Sequence, residues 1–476
     1  MFGKKKKFYI TTTLPYVNAD PHIGFALEIV QADVIARYRR KNGYEVFFNT
    51  GTDEHGLKIF RGAEKENLDP QKYCDIYAKK FDNLKKALNL SYNSFVRTTD
   101  AHHVKSAQHF WNLCEKNNDI YKKNYRIKYC VGCELEKTES ELVNGKCPIH
   151  PNLEIEIIEE ENYFFKYSKY QKALLDFYKK HPGFVVPESR FNEIKEFTKR
   201  GLEDFSISRL KEKMPWGVEV PGDEKHVMYV WFDALVNYVS CLGWPEDKKK
   251  FNDFWPGLQV AGKDNLRQQS SMWQAMLLSA GLPNSKQIFI HGFITANGQK
   301  MSKSLGNVID PFLLVKKYGT DAVRYYLLRE MLPTEDGDFT YEKFEQRYNS
   351  DLAGGIGNLV ARVLGIAKDI KIKNSKPTKI VKNKIEETKK NYNLALEKFK
   401  FNEALISVWE LISFCDKYIN DEKLWETKNP KVINDLFFAI KEIADLLSSF
   451  LPETSEKIKK ATESKKSEIL FPRIIK

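Results

Sequence analysis

With 476 residues, 42% hydrophobic and 13% aromatic, the chain can form more than one domain and bury sizeable cores. The seven cysteines are an odd number and four are scattered, which argues against a disulfide framework and for a reducing compartment. No run of about 18 apolar residues marks a transmembrane helix, and the net charge of +12 points to a polyanionic partner, nucleic acid above all.

In chain order, the opening "MFGKKKKFYI" is basic like a signal peptide but lacks an apolar core segment, so Tyr9–Thr13 reads as a strand. A helix follows, with Asp20 as the expected cap and Pro21 as its first residue. Ile23, Leu27, Val30, Val34 and Tyr38 recur at steps of three or four, and Gly43 marks the stop. "YEVFFNTG" is then a buried strand. Strand, helix, strand is the crossover unit of a parallel sheet, whose ligand side lies at the strands' C-terminal ends. From about Tyr121 the pattern changes to short strands and turns around cysteines. Sheet-like and helical runs resume near Val227, as the second half of an interrupted α/β domain. Beyond about Phe344 only amphipathic helical spacing remains, such as Leu352, Ile356, Leu359, Val363 and Leu364, and the lysine-rich "KIKNSKPTKIVKNK" reads as an inter-helix loop.

Three clusters carry chemistry. In "DPHIG", His22 and Gly24 sit in a helix's first turn, where N–H groups and the dipole favour phosphate. His22 can donate to a phosphate oxygen, and Gly24 admits a flat base. In "NGQKMSKSLGN", Lys300 and Lys303 are mobile charges suited to a leaving pyrophosphate, Ser302 adds a hydroxyl, and Gly298 and Gly306 let the loop move. Taken alone, each is also compatible with an ordinary cap or a solvated basic turn. In "CVGCELEKTESELVNGKCPIH", Cys130 and Cys133 are matched, thirteen residues on, by Cys147 and His150 at the same spacing. Three sulfurs and one imidazole suit a tetrahedral, structural Zn2+; a redox pair is the alternative.

The pair "PHIG" and "KMSKS" resembles the signature of class I aminoacyl-tRNA synthetases. "LPYVNADPHIG", "GTDEHG", "YVWFDALVNY" and "GQKMSKSLGN", in that order, resemble the methionyl-tRNA synthetase family, and the likeness runs to the terminal "LFPRI". The resemblance implies ATP-dependent activation of L-methionine to an adenylate and its transfer to tRNA(Met), with Mg2+ accompanying ATP. Such chemistry needs positioning and charge stabilisation rather than a protein nucleophile. By resemblance the catalytic groups are His22, Lys300 and Lys303, and ATP meets His22, Gly24, Lys300, Ser302 and Lys303. The amino-acid pocket maps onto Leu14, Tyr16, Asp53, Trp231, Ala234, Leu235, Tyr238 and Trp273. Aromatic walls suit a thioether and Asp53 an ammonium; the two tryptophans alone would read as core. Asn358, Arg362 and Trp425 map to the anticodon loop, a task that suits edge hydrogen bonding and stacking.

Two departures from the family pattern stand out. Phe25 replaces a second histidine, and Asn265, Gln268 and Gln269 replace an apolar residue, an aromatic and a histidine. Gln269 can replace a histidine's hydrogen bond. The expected architecture is a Rossmann-type α/β catalytic domain, first half 1–115. A zinc-knuckle insertion spans 116–226, and 227–344 holds the second half with the KMSKS-bearing region. An all-α helical-bundle anticodon-binding domain occupies 345–476. The insertion is too short for a large editing domain. A cysteinyl or leucyl enzyme, or a non-catalytic RNA-binding descendant, are the competing readings. A cytoplasmic monomer is expected, since the sequence ends without the barrel that dimerises in relatives.

Overall fold

A computed structural model describes residues 5–133, 135–137, 139–301, 306–368, 370, 376–466 and 468–475. The chain divides into two compact units: residues 1–20, 43–83 and 92–290, and residues 21–42, 84–91 and 291–476.

The first unit is built on a six-stranded sheet. Its strands are β1 (Lys7–Thr12), β2 (Glu45–Thr52), β3 (Ser94–Arg97) and, from later in the chain, β7 (Val185–Val186), β12 (Leu258–Gly262) and β13 (Gln287–His291). Their order is β3-β2-β1-β12-β13-β7. β1 pairs parallel with both β2 and β12, β2 with β3, and β13 with β7. β1 and β2 are buried almost throughout, on both faces, as parallel strands are, with apolar first halves and threonine- and asparagine-bearing C-terminal ends. Strand order reverses between β1 and β12, so the crevice at their C-terminal ends is where such sheets place ligands.

The inserted region of this unit folds as antiparallel sheets. β4 (Ile120–Cys130), β5 (Leu135–Lys137), β6 (Glu156–Phe165) and β8 (Phe205–Ser206) form one, in the order β5-β4-β6-β8. A second consists of β9 (Ser208–Leu210), β10 (Glu219–Val220) and β11 (Asp223–Met228). The sheet-like run at "HVM" therefore pairs antiparallel with β9 and β10 rather than entering the main sheet.

In the second unit, α1 (Ile23–Lys41) buries Ile23, Leu27, Val30, Val34 and Tyr38, as their spacing predicts, and Gly43 follows it at φ 83°. The start differs from expectation: His22, not Asp20, caps the helix. Asp20 instead pairs with Lys80 at 2.6 Å, in the first unit.

"QIFIHGFIT" splits into β13 and β14 (Ile294–Ala296), which joins β15 (Gln299–Lys300) and β16 (Gly337–Phe339) in a small sheet. Glycine is required at 292, since a Cβ there would lie 2.0 Å from the Glu335 carbonyl oxygen. From Tyr341 the described chain is helical, with a wider π-type turn over Tyr348–Gly357 leading into Asn358–Ile366. Within the stretch read as an inter-helix loop, residues from Lys379 onward are already helix; 371–375 lie outside the described residues. Among the described residues no helix is long and apolar enough to cross a membrane.

Candidate active site, metal cluster and RNA-facing helices

The residues that the resemblance assigns to amino-acid binding all lie in the first unit, Leu14 and Tyr16 after β1, Asp53 after β2, and the rest between 231 and 273. The chain after β1 bridges to the chain after β2: Tyr16 pairs with Asp53, Asp53 N donates to Pro15 O at 2.9 Å, and Val17 N to Asp53 O at 3.3 Å. Asp53 is buried, while Leu14 and Tyr16 are half-buried. Trp231, Ala234 and Leu235 share the short helix Val230–Leu235. Tyr238 lies just beyond, its ring 5.9 Å from that of Trp273. Trp273 is fully buried, stacked on Phe110 and edge-on to Trp255, so it packs in the core. Gln269 donates from Nε2 to the Tyr238 hydroxyl at 2.6 Å, the bond expected of it in place of a histidine. Gln268 and Gln269 are both buried on a π-type turn, and Asn265 donates to Asp264 at 3.1 Å.

Behind Asp53 stands a set of charged residues that motif reading left unassigned. Glu54 is fully buried and receives Arg97 Nε at 2.7 Å, Arg97 Nη2 at 2.8 Å and the Thr52 hydroxyl at 2.7 Å. His55 Nδ1 lies 2.6 Å from Asp233 Oδ2, and His103 Nε2 lies 2.8 Å from Asp233 Oδ1. His103 Nδ1 contacts Ser240 Oγ at 2.9 Å. Burial pushes the Asp233 carboxyl up, but the charge of His55 and hydrogen bonds from both histidines overcome this and hold it at about 2. The carboxylate thus ties the Asp53 turn to the helix carrying Trp231 and Ala234. The signal was present as charged residues inside apolar runs, "TDEH" and "WFDAL", but the partners are 178 and 130 residues apart.

His22 and Gly24 belong to the second unit, at the start of α1. The N–H groups of that first turn are already bonded. Ile23 N donates to Ile309 O at 3.0 Å, Gly24 N to His22 Nδ1 at 3.0 Å, and Phe25 N and Ala26 N to His22 O at 3.1 and 3.2 Å. The expected free N–H groups are therefore absent, and the donor left for a phosphate is the His22 ring. Because Nδ1 accepts from Gly24, the neutral ring carries its proton on Nε2. Partial desolvation of the ring lowers the His22 pKa from its ordinary value, which favours the neutral form, although the residue is exposed.

Met301 and Ile309 lie beside this turn. A Cβ on Gly24 would stand 2.8 Å from His22 Cε1 and 3.7 Å from Met301 Cε, and Ile309 bonds Ile23. Lys300 ends a hairpin whose turn, Asn297 and Gly298, has φ of 53° and 72°, the conformation such turns demand. Lys300 is exposed. Ser302 and Lys303 lie outside the described residues.

Cys130, Cys133, Cys147 and His150 converge: one ligand atom from each lies within 4.8 Å of the others. Each pair closes a tight turn, Cys133 N to Cys130 O at 3.2 Å and His150 N to Cys147 O at 3.1 Å. Cys133 Sγ is 3.4 Å from Cys147 Sγ and 3.2 Å from His150 Nδ1; Cys130 Sγ is 3.8 Å from the same nitrogen. A tetrahedron with metal–sulfur bonds near 2.3 Å has edges of about 3.8 Å, so the set fits such an ion. Gly132 is needed here, because a Cβ would sit 2.5 Å from His150 Cγ.

Asn358 is exposed at the start of its helix. Arg362, one turn on, donates to Asp416 Oδ1 at 3.1 Å and Asn420 Oδ1 at 2.8 Å. Trp425 is 50% exposed and bonds only its neighbour Glu426 among the described residues, so it is not a core tryptophan.

Comparison with known proteins places these features in one family. Residues 8–364 match the model described as tRNA synthetases class I (M), and residues 378–473 the anticodon-binding domain of tRNA ligase. Methionine--tRNA ligase of Thermotoga maritima is 43% identical over 472 residues, 95% of this chain and 74% of the relative. The chain belongs to the methionyl-tRNA synthetase family. The Thermosynechococcus vestitus Methionine--tRNA ligase is also 43% identical, over 95% of this chain and 89% of its own. Among solved structures, the Mycobacterium tuberculosis methionyl-tRNA synthetase in complex with methionyl-adenylate superposes with a TM-score of 0.91. It is 35% identical and covered 93%, against 95% of this chain. Membership in the methionyl-tRNA synthetase family makes this chain an aminoacyl-tRNA ligase with a Rossmann-like sheet and a helical anticodon-binding domain. The cysteinyl, leucyl and non-catalytic readings are not favoured.

Proposed function

We propose that this chain activates L-methionine with ATP and passes the methionyl group to tRNA(Met), using the residues that the resemblance assigns. The observation that carries the reading is the packing of the α1 first turn against Met301, within the KMSKS stretch, and Ile309, five residues beyond it. A methionine carboxylate oxygen attacks the α-phosphorus of ATP, and the bond to pyrophosphate breaks. Asp53 pairs the substrate ammonium, and Tyr16, Trp231, Ala234, Leu235 and Tyr238 enclose the thioether, with Trp273 behind them. His22 Nε2–H donates to phosphate oxygen as charge develops, and Lys300 and Lys303 follow the departing pyrophosphate. Mg2+ bound with ATP supplies further neutralisation of phosphate charge. Zn2+ on Cys130, Cys133, Cys147 and His150 has four protein ligands, so its role is to hold the turns. Phe25 leaves His22 as the sole histidine of its turn. Asn358, Arg362 and Trp425 meet anticodon bases. The seven unpaired cysteines suit a reducing cytoplasm.

Pyrophosphate exchange into ATP, tested with each amino acid, decides the substrate. Methionine should stimulate it well above cysteine or leucine; stimulation by cysteine exceeding that by methionine would overturn the assignment.

A further inference from the structure

A buried acid–imidazole pair in the second unit has no part in the proposed chemistry. Glu28 lies on α1 and His291 is the last residue of β13; each is only 4% exposed. His291 Nε2 stands 2.8 Å from Glu28 Oε2, and its Nδ1 stands 2.7 Å from Gly292 O. Both ring nitrogens are thus committed to oxygens, and the ring cannot turn without breaking a hydrogen bond. Glu28 is one helical turn beyond Gly24, so the two share one side of α1.

That side of α1 meets the hairpin of β14 and β15 twice. Gly24 lies beside Met301, which directly follows β15. Glu28 lies beside His291, three residues before β14. One contact is at the hairpin's root and the other is where it ends. Between them the hairpin is braced. Asp338 Oδ1 accepts from the Thr295 hydroxyl and from Gly298 N, both at 2.7 Å. Asp336 Oδ1 accepts from Phe293 N at 2.9 Å. A braced hairpin turns as one piece, so whatever fixes its root also fixes Lys300 at its end. A buried polar pair adds little net stability over apolar side chains of similar volume. What its directed bonds add is a fixed orientation.

We propose that Glu28 and His291 are positioning residues for adenylate formation: their pair fixes the root of the hairpin on α1 and so keeps Lys300 and the rest of the KMSKS stretch aligned with His22. This rests on the reading of His22, Lys300 and Lys303 as phosphate contacts. Neither Glu28 nor His291 touches substrate in this role. Losing the pair is a loss of alignment, and a misplacement of about 1 Å can slow a reaction about 100-fold.

The test is single-turnover formation of methionyl-adenylate by the full-length chain, with methionine affinity measured by calorimetry. His291→Ala and Glu28→Ala should each lower the rate about 10- to 100-fold, with methionine affinity within about threefold of wild type. The double variant should be no slower than the slower single one, because either change breaks the same pair. Glu28→Gln keeps an amide within hydrogen-bond reach of the ring and should hold the rate within about threefold of wild type. In a Lys303→Ala background, His291→Ala should cost less than about threefold, since that lysine is part of what the pair aligns. Should the alanine variants fail to fold, Glu28→Asp carries the test. It draws the carboxylate back by one methylene and should slow the rate about tenfold at unchanged methionine affinity. Wild-type rates in the folded alanine variants, or in Glu28→Asp, would overturn the proposal. Equal losses of rate and methionine affinity would overturn it by marking a general disruption. An undiminished loss in the Lys303→Ala background would overturn it by placing the effect away from the hairpin. If the wild-type chain itself forms no methionyl-adenylate, the proposed function falls and this proposal with it.

Discussion

Replacing Asp233 by Asn tests the charged support behind the amino-acid pocket. The carboxylate is fully buried and accepts from two histidines, at 2.6 and 2.8 Å. An amide of the same shape offers one acceptor and one donor, so one histidine loses its partner. Breaking a buried ionic arrangement by removing one member costs about 3–5 kcal/mol. For a unit of this size that corresponds to a fall of about 6–15 °C in the unfolding midpoint. The pH dependence gives a second magnitude. The Asp233 carboxyl drops from an ordinary 3.8 to about 2 on folding, which is worth about 2 kcal/mol at neutral pH. A depressed carboxylate pKa stabilises above the unfolded value, so this contribution is complete above about pH 5 and fades as pH falls through 3.8 towards 2. The variant should therefore show a smaller loss of stability between pH 5 and 2 than the wild type. Because His55 is two residues from Asp53, the KM for methionine should rise about tenfold or more in pyrophosphate exchange. Tryptophan-fluorescence melting across pH reads the first two quantities. A midpoint within 1 °C of wild type, with unchanged KM, would refute the idea that this carboxylate holds the pocket.

Lys303→Ala should lower the rate of adenylate formation far more than methionine affinity, read by single-turnover kinetics, because its charge is needed chiefly as pyrophosphate leaves; equal losses would count against that role. Trp425→Ala should weaken tRNA charging at least tenfold while pyrophosphate exchange stays near wild type, since the ring is half-exposed and loses only a stacking surface. Chelating the metal, or Cys147→Ser, should open the 130–150 turns to protease and release about one zinc per chain by elemental analysis. Chains without zinc before treatment would argue for bare thiols.

Much of the fold could be read from local pattern. α1 shows itself through five apolar positions on one side, and the cysteine–histidine cluster through two matched spacings, because both depend on residues near in sequence. The cap of α1 was misread for a physical reason: Asp20 and Pro21 are strong local start signals, but the Ile23–Ile309 hydrogen bond and the His22 ring satisfy the first turn instead. Alternation near Val227 marks a strand but does not name its partners, which are β9 and β10. The His55–Asp233–His103 arrangement was invisible because its members come from three distant segments. Tryptophans were equally opaque: Trp273 is fully buried and Trp425 half-exposed, a difference that neither neighbouring sequence announces.

In the proposed reaction the α1 first turn and the KMSKS stretch act together on the phosphates of one ATP. Methionine-dependent pyrophosphate exchange with His22→Ala, Lys303→Ala and the double variant measures this most directly. Each single change should lower kcat by about 10²–10³, the usual loss for one donor to developing charge, with the methionine KM within about threefold. The double variant should fall short of the product of the two, as groups serving one transition state do. Full exchange activity in His22→Ala, or losses that appear only in KM, would contradict the account.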